Sequence, residues 1–215
     1  MPHVYEALAQ SVLDHGVDTM FGLMGDANLF MANHFAQVLS GKFVPVAYEG
    51  SSVLAAMGYS HTTNKIGVAT VTHGPGLSNC FTALIEGARR QAPCVLIAGD
   101  TPVVSRNALQ GIDQSELVRT TGAGFEQVRA PETALNDIAA AFHRAEAEKR
   151  PIVLNVPADF MWQEVAYAKT VYPSFKTSTN AIKGNVFDEA LGMIAWAKRP
   201  IILAGIGAKH ARAEL

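Results

Sequence analysis

The sequence predicts an α/β fold, an open, mostly parallel sheet with helices on both faces, followed by the truncated start of a second α/β domain. Three observations point there. Short β-rich runs alternate with longer stretches of helical periodicity, the pattern of strand–helix–strand units. The most apolar runs, "VLIAG" and "IVLNV", show little polar alternation, as strands covered on both faces require. Glycine turns, Gly25-Asp26-Ala27 and Gly74-Pro75-Gly76, stand between strand-like and helix-like segments.

Taken in order, Val4–His15 reads as a helix, with Val4, Leu8, Val12 and Leu13 at helical spacing and Gly16 as its stop. A strand near Thr19–Met24 leads through the first glycine turn into a helix from about Asn28 to Leu39. Phe43–Tyr48 reads as strand, Ser51–His61 as helix and Ile66–Val71 as strand. Leu77–Arg90 is a helix with Leu77, Phe81, Leu84, Ile85 and Ala88 on one face. "CVLIAGD" is a buried strand, and the polar stretch "TPVVSRNALQGIDQSEL" after it has no periodicity and reads as a long loop. Leu135–Lys149 is a helix with Leu135, Ile138 and Phe142 inward, and "PIVLNVP" closes the series.

Residues 1–165 form the first expected domain. Composition then changes: "AYAKTVYPSFKTSTNAIKG" is polar and weakly periodic, so residues 166–183 read as a linker. After it, Asn185–Lys198 reads as helix and "RPIILAGIGAKHA" as strand, glycine turn and helix start. A strand-turn-helix needs neighbours to bury its strand, so residues 184–215 are expected to be the incomplete start of that second domain.

A formal net charge of −2 gives no electrostatic reason to expect nucleic acid or an anionic membrane as partner. No apolar run approaches ~18 residues and no Lys/Arg-led apolar leader opens the chain, so a soluble, cytoplasmic protein is expected. Cys80 and Cys94 lack metal-site spacing and fit two buried thiols in a reducing compartment. The seven histidines are scattered, and no metal-ligand set emerges.

Candidate chemistry begins at "AYEGSSVLAAMGYS", where Glu49 is the one carboxylate. A side chain at the carboxyl end of a strand points to the crevice where open α/β sheets bind ligands. The residues that follow, Ser51 to Gly58, are small or apolar nearly all round, as in a buried helix approached closely by another backbone. Glu49 is therefore expected at a packed interface. A plain helix-N-terminal carboxylate, favoured by the macrodipole by ~0.3–1 kcal/mol, fits equally well. In "TVTHGPGLSN" the Gly74-Pro75-Gly76 turn brings backbone close to a ligand, or simply makes a rigid connection. A dinucleotide fingerprint would have glycine where Asn79 stands, and no Lys-Ser/Thr follows as in a P-loop. His73 precedes the turn and reaches the same crevice, with a hydrogen-bonded structural histidine as the competing reading. Asp113 and Gln114, in the long loop, are candidates for a mobile lid or for solvated surface.

In combination these segments resemble a known family. "FGLMGDANL", "AYEGSSVLAAMGYS", "GVATVTHGPGLSNCFTALIEGARRQAPCVLIAGD", "DQSELVRTTG" and "RPIVLNVPADF", in that order, are similar to the pyrimidine-binding domain of thiamine diphosphate-dependent enzymes, in particular the acetolactate synthase-like branch. The resemblance covers roughly residues 1–165, and the tail from about 184 resembles the start of that family's central domain. Any one piece is weak; their joint occurrence is specific.

The resemblance implies part of an enzyme acting on 2-oxo acids, by decarboxylation with carboligation or by decarboxylation alone. The glutamate matching Glu49 hydrogen-bonds a ring nitrogen of the cofactor's aminopyrimidine and stabilises its imino tautomer, which takes the proton from the thiazolium carbon. Gly74, Pro75, Gly76 and Asn79 would lie against the aminopyrimidine, and Gln114 matches a glutamine lining the active site. His73 stands where that branch usually has serine, and a histidine there would serve proton transfer to a bound intermediate. Met24 replaces a common proline. The pyrophosphate and its Mg2+ would be held by a domain absent from this chain, whose G-D-G…N motif is not found here. FAD is compatible with the branch, but no residue here supports it. The expected partner is a second copy, in a homodimer or homotetramer joined through the helix after Glu49, and the isolated chain is expected to be inactive. The alternative is a non-catalytic dinucleotide-binding or dimerisation module.

Overall fold

A computed structural model describes residues 1–105, 107–174, 184–208, 211 and 213. The chain divides into two compact units, Met1–Phe175 and Lys176–Leu215. The first is built on six parallel strands: β1 (Thr19–Gly22), β2 (Lys42–Pro45), β3 (Gly67–Val71), β4 (Cys94–Asp100), β5 (Gly124–Gln127) and β6 (Pro151–Pro157). Their order is β2-β1-β3-β4-β6-β5, and every neighbouring pair is parallel. The helices are α1 (Val4–Asp14), α2 (Leu29–Asn33), α3 (Glu49–Thr63), α4 (Pro75–Ser78), α5 (Phe81–Arg89), α6 (Gln114–Thr121) and α7 (Ala134–Glu148).

Side chains on a strand alternate between faces, so a doubly covered strand must be apolar at every position. In β4, Val95 and Ile97 enter a core with Leu8 and Val12 of α1, Met31 of α2 and Ile138 of α7. Leu96 and Ala98 enter a second core with Val53 and Met57 of α3, Leu84 of α5 and Val118 of α6. The uniformly apolar runs are thus explained by helices on both faces. Gly67 lets α3 approach the sheet: a Cβ there would lie 1.9 Å from the Ala56 carbonyl oxygen.

The departures from the sequence reading have local causes. β2 stops at Pro45, which has no N–H to continue a ladder, and Glu49 is the first residue of α3 rather than the end of the strand. The expected helix over Leu77–Arg90 is two helices, broken at Asn79 and Cys80. The helix from Asn28 begins as α2 and continues with π-helical geometry over His34–Val38. The long loop ends earlier than expected, because Asp113 accepts the Glu116 N–H at 2.8 Å and caps α6. β5, "GFEQ", escapes any period because it is a short, half-buried edge strand. Arg144 of α7 secures it, donating to the Phe125 carbonyl at 2.7 Å and to Glu126 at 2.9 Å.

After β6 the chain returns across α1. The Val4 amide donates to Gln163, and the Val165 amide to Pro2, each at 2.9 Å, around an antiparallel bridge of His3 with Glu164. The Tyr167 hydroxyl then hydrogen-bonds Asp14. In the second unit, α8 (Asn185–Ala195) is followed by a single 3-10 turn, Ile206–Ala208. The strand expected in "RPIILAG" is not formed: Ile201, Ile202 and Leu203 are exposed, and among the described residues no strand is there to pair with them. Of the expected linker, residues 175–183 lie outside the described residues, as do Lys209 and His210 of the expected final helix start. No helix among the described residues is long and apolar enough to cross a membrane.

Candidate active site

Parallel topology brings the loops after β1, β2, β3, β4 and β6 to one edge of the sheet, where open α/β folds bind ligands. Each candidate residue sits in one of these loops or at the start of the helix that follows, except Asn79, which lies between α4 and α5.

Glu49 opens α3, with Tyr48 extended before it at φ −149°. Oε2 of Glu49 accepts a hydrogen bond from Asn79 Nδ2 at 2.9 Å. The Tyr48 hydroxyl donates to the Asn79 carbonyl, also at 2.9 Å. Asn79 is available for this because α4 ends there and α5 has not begun. Among the described residues Oε1 takes no hydrogen bond, and Glu49 is half-buried. A carboxylate with one oxygen anchored and one open can accept a hydrogen bond, or hold a proton, at a fixed position.

The Gly74-Pro75-Gly76 turn is held from beneath. Gly74 adopts φ +59°, and a Cβ there would lie 2.0 Å from the Gln110 carbonyl oxygen, so only glycine fits. Its N–H donates to Gln114 Oε1 at 2.7 Å. Gln114, 3% exposed, donates through Nε2 to the Gly99 carbonyl at 2.9 Å and to Asn155 Oδ1. Asn155 Nδ2 donates to Asp100 at 2.5 Å and to Gln127 at 2.8 Å. This buried network joins the ends of β4, β5 and β6 to the turn after β3. Gln114 thus meets the turn from inside the fold, and Asp113 is the α6 cap.

His73 is 7% exposed and lies beside the turn after β1. Its Nδ1 is 3.6 Å from Asp26 Oδ1 and 3.4 Å from Thr72 Oγ1. The Thr72 hydroxyl donates to Asp26 Oδ1 at 2.6 Å, and the Ala27 N–H to the same oxygen at 2.9 Å. The Thr72 hydrogen bond, with smaller help from His73 and the Ala27 N–H, holds the Asp26 carboxyl below the usual carboxylate range. Buried Asn28 fixes this turn, accepting from the Gly25 N–H at 2.7 Å and donating to Leu23 O and Thr70 Oγ1 at 3.1 Å.

The structure therefore brings Glu49 to Asn79, and both His73 and Gln114 to the glycine turn. Sequence reasoning missed Tyr48, Thr72, Asn155 and Asp26. The signal for Asp26 was present, since its glycine turn also follows a strand. Tyr48, Thr72 and Asn155 act through contacts between segments distant in sequence, which no local pattern encodes. No group of three or more His, Cys, Asp or Glu side chains among the described residues is placed to hold a metal ion. Burial pushes both cysteine thiols up to about 12, so neither is a nucleophile at neutral pH.

A family model described as "Thiamine pyrophosphate enzyme, N-terminal TPP binding domain" matches residues 2–117. Over 212 residues the chain is 28% identical to an acetolactate synthase large subunit of Haemophilus influenzae, covering 94% of this chain and 37% of that protein. Over 209 residues it is 29% identical to an acetolactate synthase of Mycobacterium bovis, covering 94% and 34% respectively. Similarity extends to a sulfoacetaldehyde acetyltransferase of Castellaniella defragrans, 26% identical over 204 residues with 94% and 34% coverage. The chain spans roughly a third of the length of these relatives.

Proposed function

Because this chain belongs to the thiamine pyrophosphate enzymes, through their N-terminal TPP-binding domain, we propose that it supplies one half of an active site acting on 2-oxo acids. The reaction is acetolactate synthase-like carboligation or decarboxylation. In this assignment residues 1–165 bind the pyrimidine end of thiamine diphosphate, 166–183 are a linker and 184–215 begin a central domain.

The observation that carries the reading is the Glu49 carboxylate, with Oε2 anchored by Asn79 and Oε1 open. That oxygen fits a ring nitrogen able to share a proton, and the rigid backbone of Gly74-Pro75-Gly76 fits a flat heterocycle laid against it. Bound thiamine diphosphate supplies the carbon nucleophile and the electron sink that 2-oxo acid chemistry needs. Glu49 holds the proton at the pyrimidine nitrogen, where an anchored carboxylate favours a hydrogen-bond donor, the more so once a second subunit covers the site. Gly74, Pro75, Gly76 and Asn79 orient the ring, and Gln114 keeps the turn in place. His73 moves a proton to and from the substrate. The diphosphate and its Mg2+ are bound by a domain outside this chain.

The second half of the site comes from another subunit, in a homodimer or homotetramer joined through α3. Its outward stripe of Ser51, Leu54 and Gly58 supports this, being small or apolar and open. A cytoplasmic location is in keeping with two cysteines left as buried thiols.

Calorimetric titration of thiamine diphosphate and magnesium into this chain, with and without the remaining portion of the protein, tests the assignment. Heat is expected only with both pieces present. No heat in either arrangement, with the added piece folded and associated, overturns it.

A further inference from the structure

We propose that Asp26, acting with Thr72, fixes the tautomer of His73, leaving Nε2 as the atom that exchanges protons with a bound substrate. The inference rests on the assignment of His73 to proton transfer made above. Asp26 is a positioning residue, since it acts through the imidazole and not on the substrate.

The protons around the ring can be traced, with the Ala27 N–H leaning also on Thr72 Oγ1 at 3.4 Å and so using one of that oxygen's two lone pairs. An ionised carboxylate has none to give, and Asp26 Oδ1 already accepts the Thr72 hydroxyl at 2.6 Å and the Ala27 N–H at 2.9 Å. Thr72 has a single hydroxyl proton, and that proton points to Asp26. What Thr72 Oγ1 offers Nδ1 at 3.4 Å is therefore a lone pair. Beyond it stands Asp26 Oδ1, 3.6 Å from Nδ1. Among the described residues Nδ1 faces two acceptors and no donor. A neutral imidazole carries one N–H, and it belongs on the nitrogen that faces acceptors. Nε2 is left with its lone pair. It takes a proton there to become imidazolium, which the Asp26 carboxylate stabilises, and returns the proton from the same atom.

The surroundings are built for this arrangement. β1 and β3 are neighbours in register, Gly22 beside Thr70, so the segments that follow them run together. Gly25 allows the contact, because a Cβ there would lie 2.6 Å from the Thr72 Cβ. Asn28 locks the turn through Gly25, Leu23 and Thr70. Burial of the ring keeps water from competing for Nδ1, and the chain after His73 runs directly into the turn assigned to the cofactor.

Two-bond proton–nitrogen correlation spectra of the 15N-labelled protein read the tautomer directly, with the His73 signals identified by their loss in His73→Gln. The Nδ1–H form is expected in the wild type. Asp26→Ala frees the Thr72 proton to bond Nδ1 and is expected to shift the tautomer ratio toward Nε2–H by about tenfold or more. Asp26→Asn keeps an acceptor in place and is expected to retain Nδ1–H. A wild-type ring in the Nε2–H form, or an unchanged ratio in folded Asp26→Ala, overturns the proposal. If Asp26→Ala does not fold, Thr72→Val removes the nearer acceptor and must lower the same ratio. Turnover of full-length His73→Gln is the separate check: an Nδ1–H ring with undiminished turnover leaves the positioning in place and overturns the proton-transfer role.

Discussion

Asn79 donates its side-chain amide to Glu49 Oε2 at 2.9 Å, reaching across the gap between α4 and α5 to the first residue of α3. Tyr48, the residue before the acid, holds the Asn79 carbonyl in return. The pair orients a carboxylate that a helix N-terminus alone would leave free to rotate.

In the full-length enzyme, Glu49→Gln is expected to lower kcat by about 10²–10⁴-fold, the range for removing a positioned proton-handling group. Asn79→Ala is expected to cost about tenfold, the worth of one hydrogen bond to a charged group. Steady-state kinetics under saturating cofactor separate the two. Equal losses would mean that Asn79 does more than orient Glu49.

Gly74→Ala places a Cβ 2.0 Å from the Gln110 carbonyl at a φ of +59°. Thermal denaturation is expected to show a loss of about 1–3 kcal/mol from backbone strain alone, with the clash adding to it. A variant as stable as the wild type would mean that the turn is free to rearrange.

Asn155→Leu removes the acceptor of Gln114 Nε2 and the donor to Asp100 and Gln127. Leaving buried polar groups unpaired costs about 1–3 kcal/mol each, so the urea midpoint is expected to fall clearly. Gln114→Leu, which strands the Gly74 N–H and the Gly99 carbonyl, is expected to behave alike. The double variant should lose less than the sum, because the two side chains share one network.

Asp18 is held down to about 2, from 3.8, by hydrogen bonds from the Tyr59 hydroxyl first, then Thr19 and Lys65. A depressed carboxyl stabilises the fold above its unfolded value and loses that contribution as pH falls through the folded one. The Tm difference between wild type and Tyr59→Phe is therefore expected to be full near pH 6 and to shrink between about pH 4 and 2. Asp18 is well exposed, so the difference is small. A gap that persists unchanged at pH 2 would assign it to packing of the Tyr59 ring.

The two-sided sheet was legible because burial on both faces leaves a direct mark, as in "VLIAG" and "IVLNV", and β4 and β6 lie where those runs are. Glu49 and the glycine turn were legible because an isolated charge and a Gly-Pro-Gly both stand out locally. β5 was not, since its stability comes from Arg144 and from pairing with β6, not from its own residues. Asp26 with His73, and Asn79 with Glu49, were hidden for the same reason: each is a meeting of loops that only the strand order brings together.

The crossed amides of Val4 and Val165, with Tyr167 fastened to Asp14, act as a clasp on the first unit. Anything joined ahead of Pro2 begins its path beside the departing chain, so an N-terminal fusion and the downstream segment compete for the same small area of α1. Force applied through the downstream segment would load this clasp in shear before it reached a single strand of the sheet.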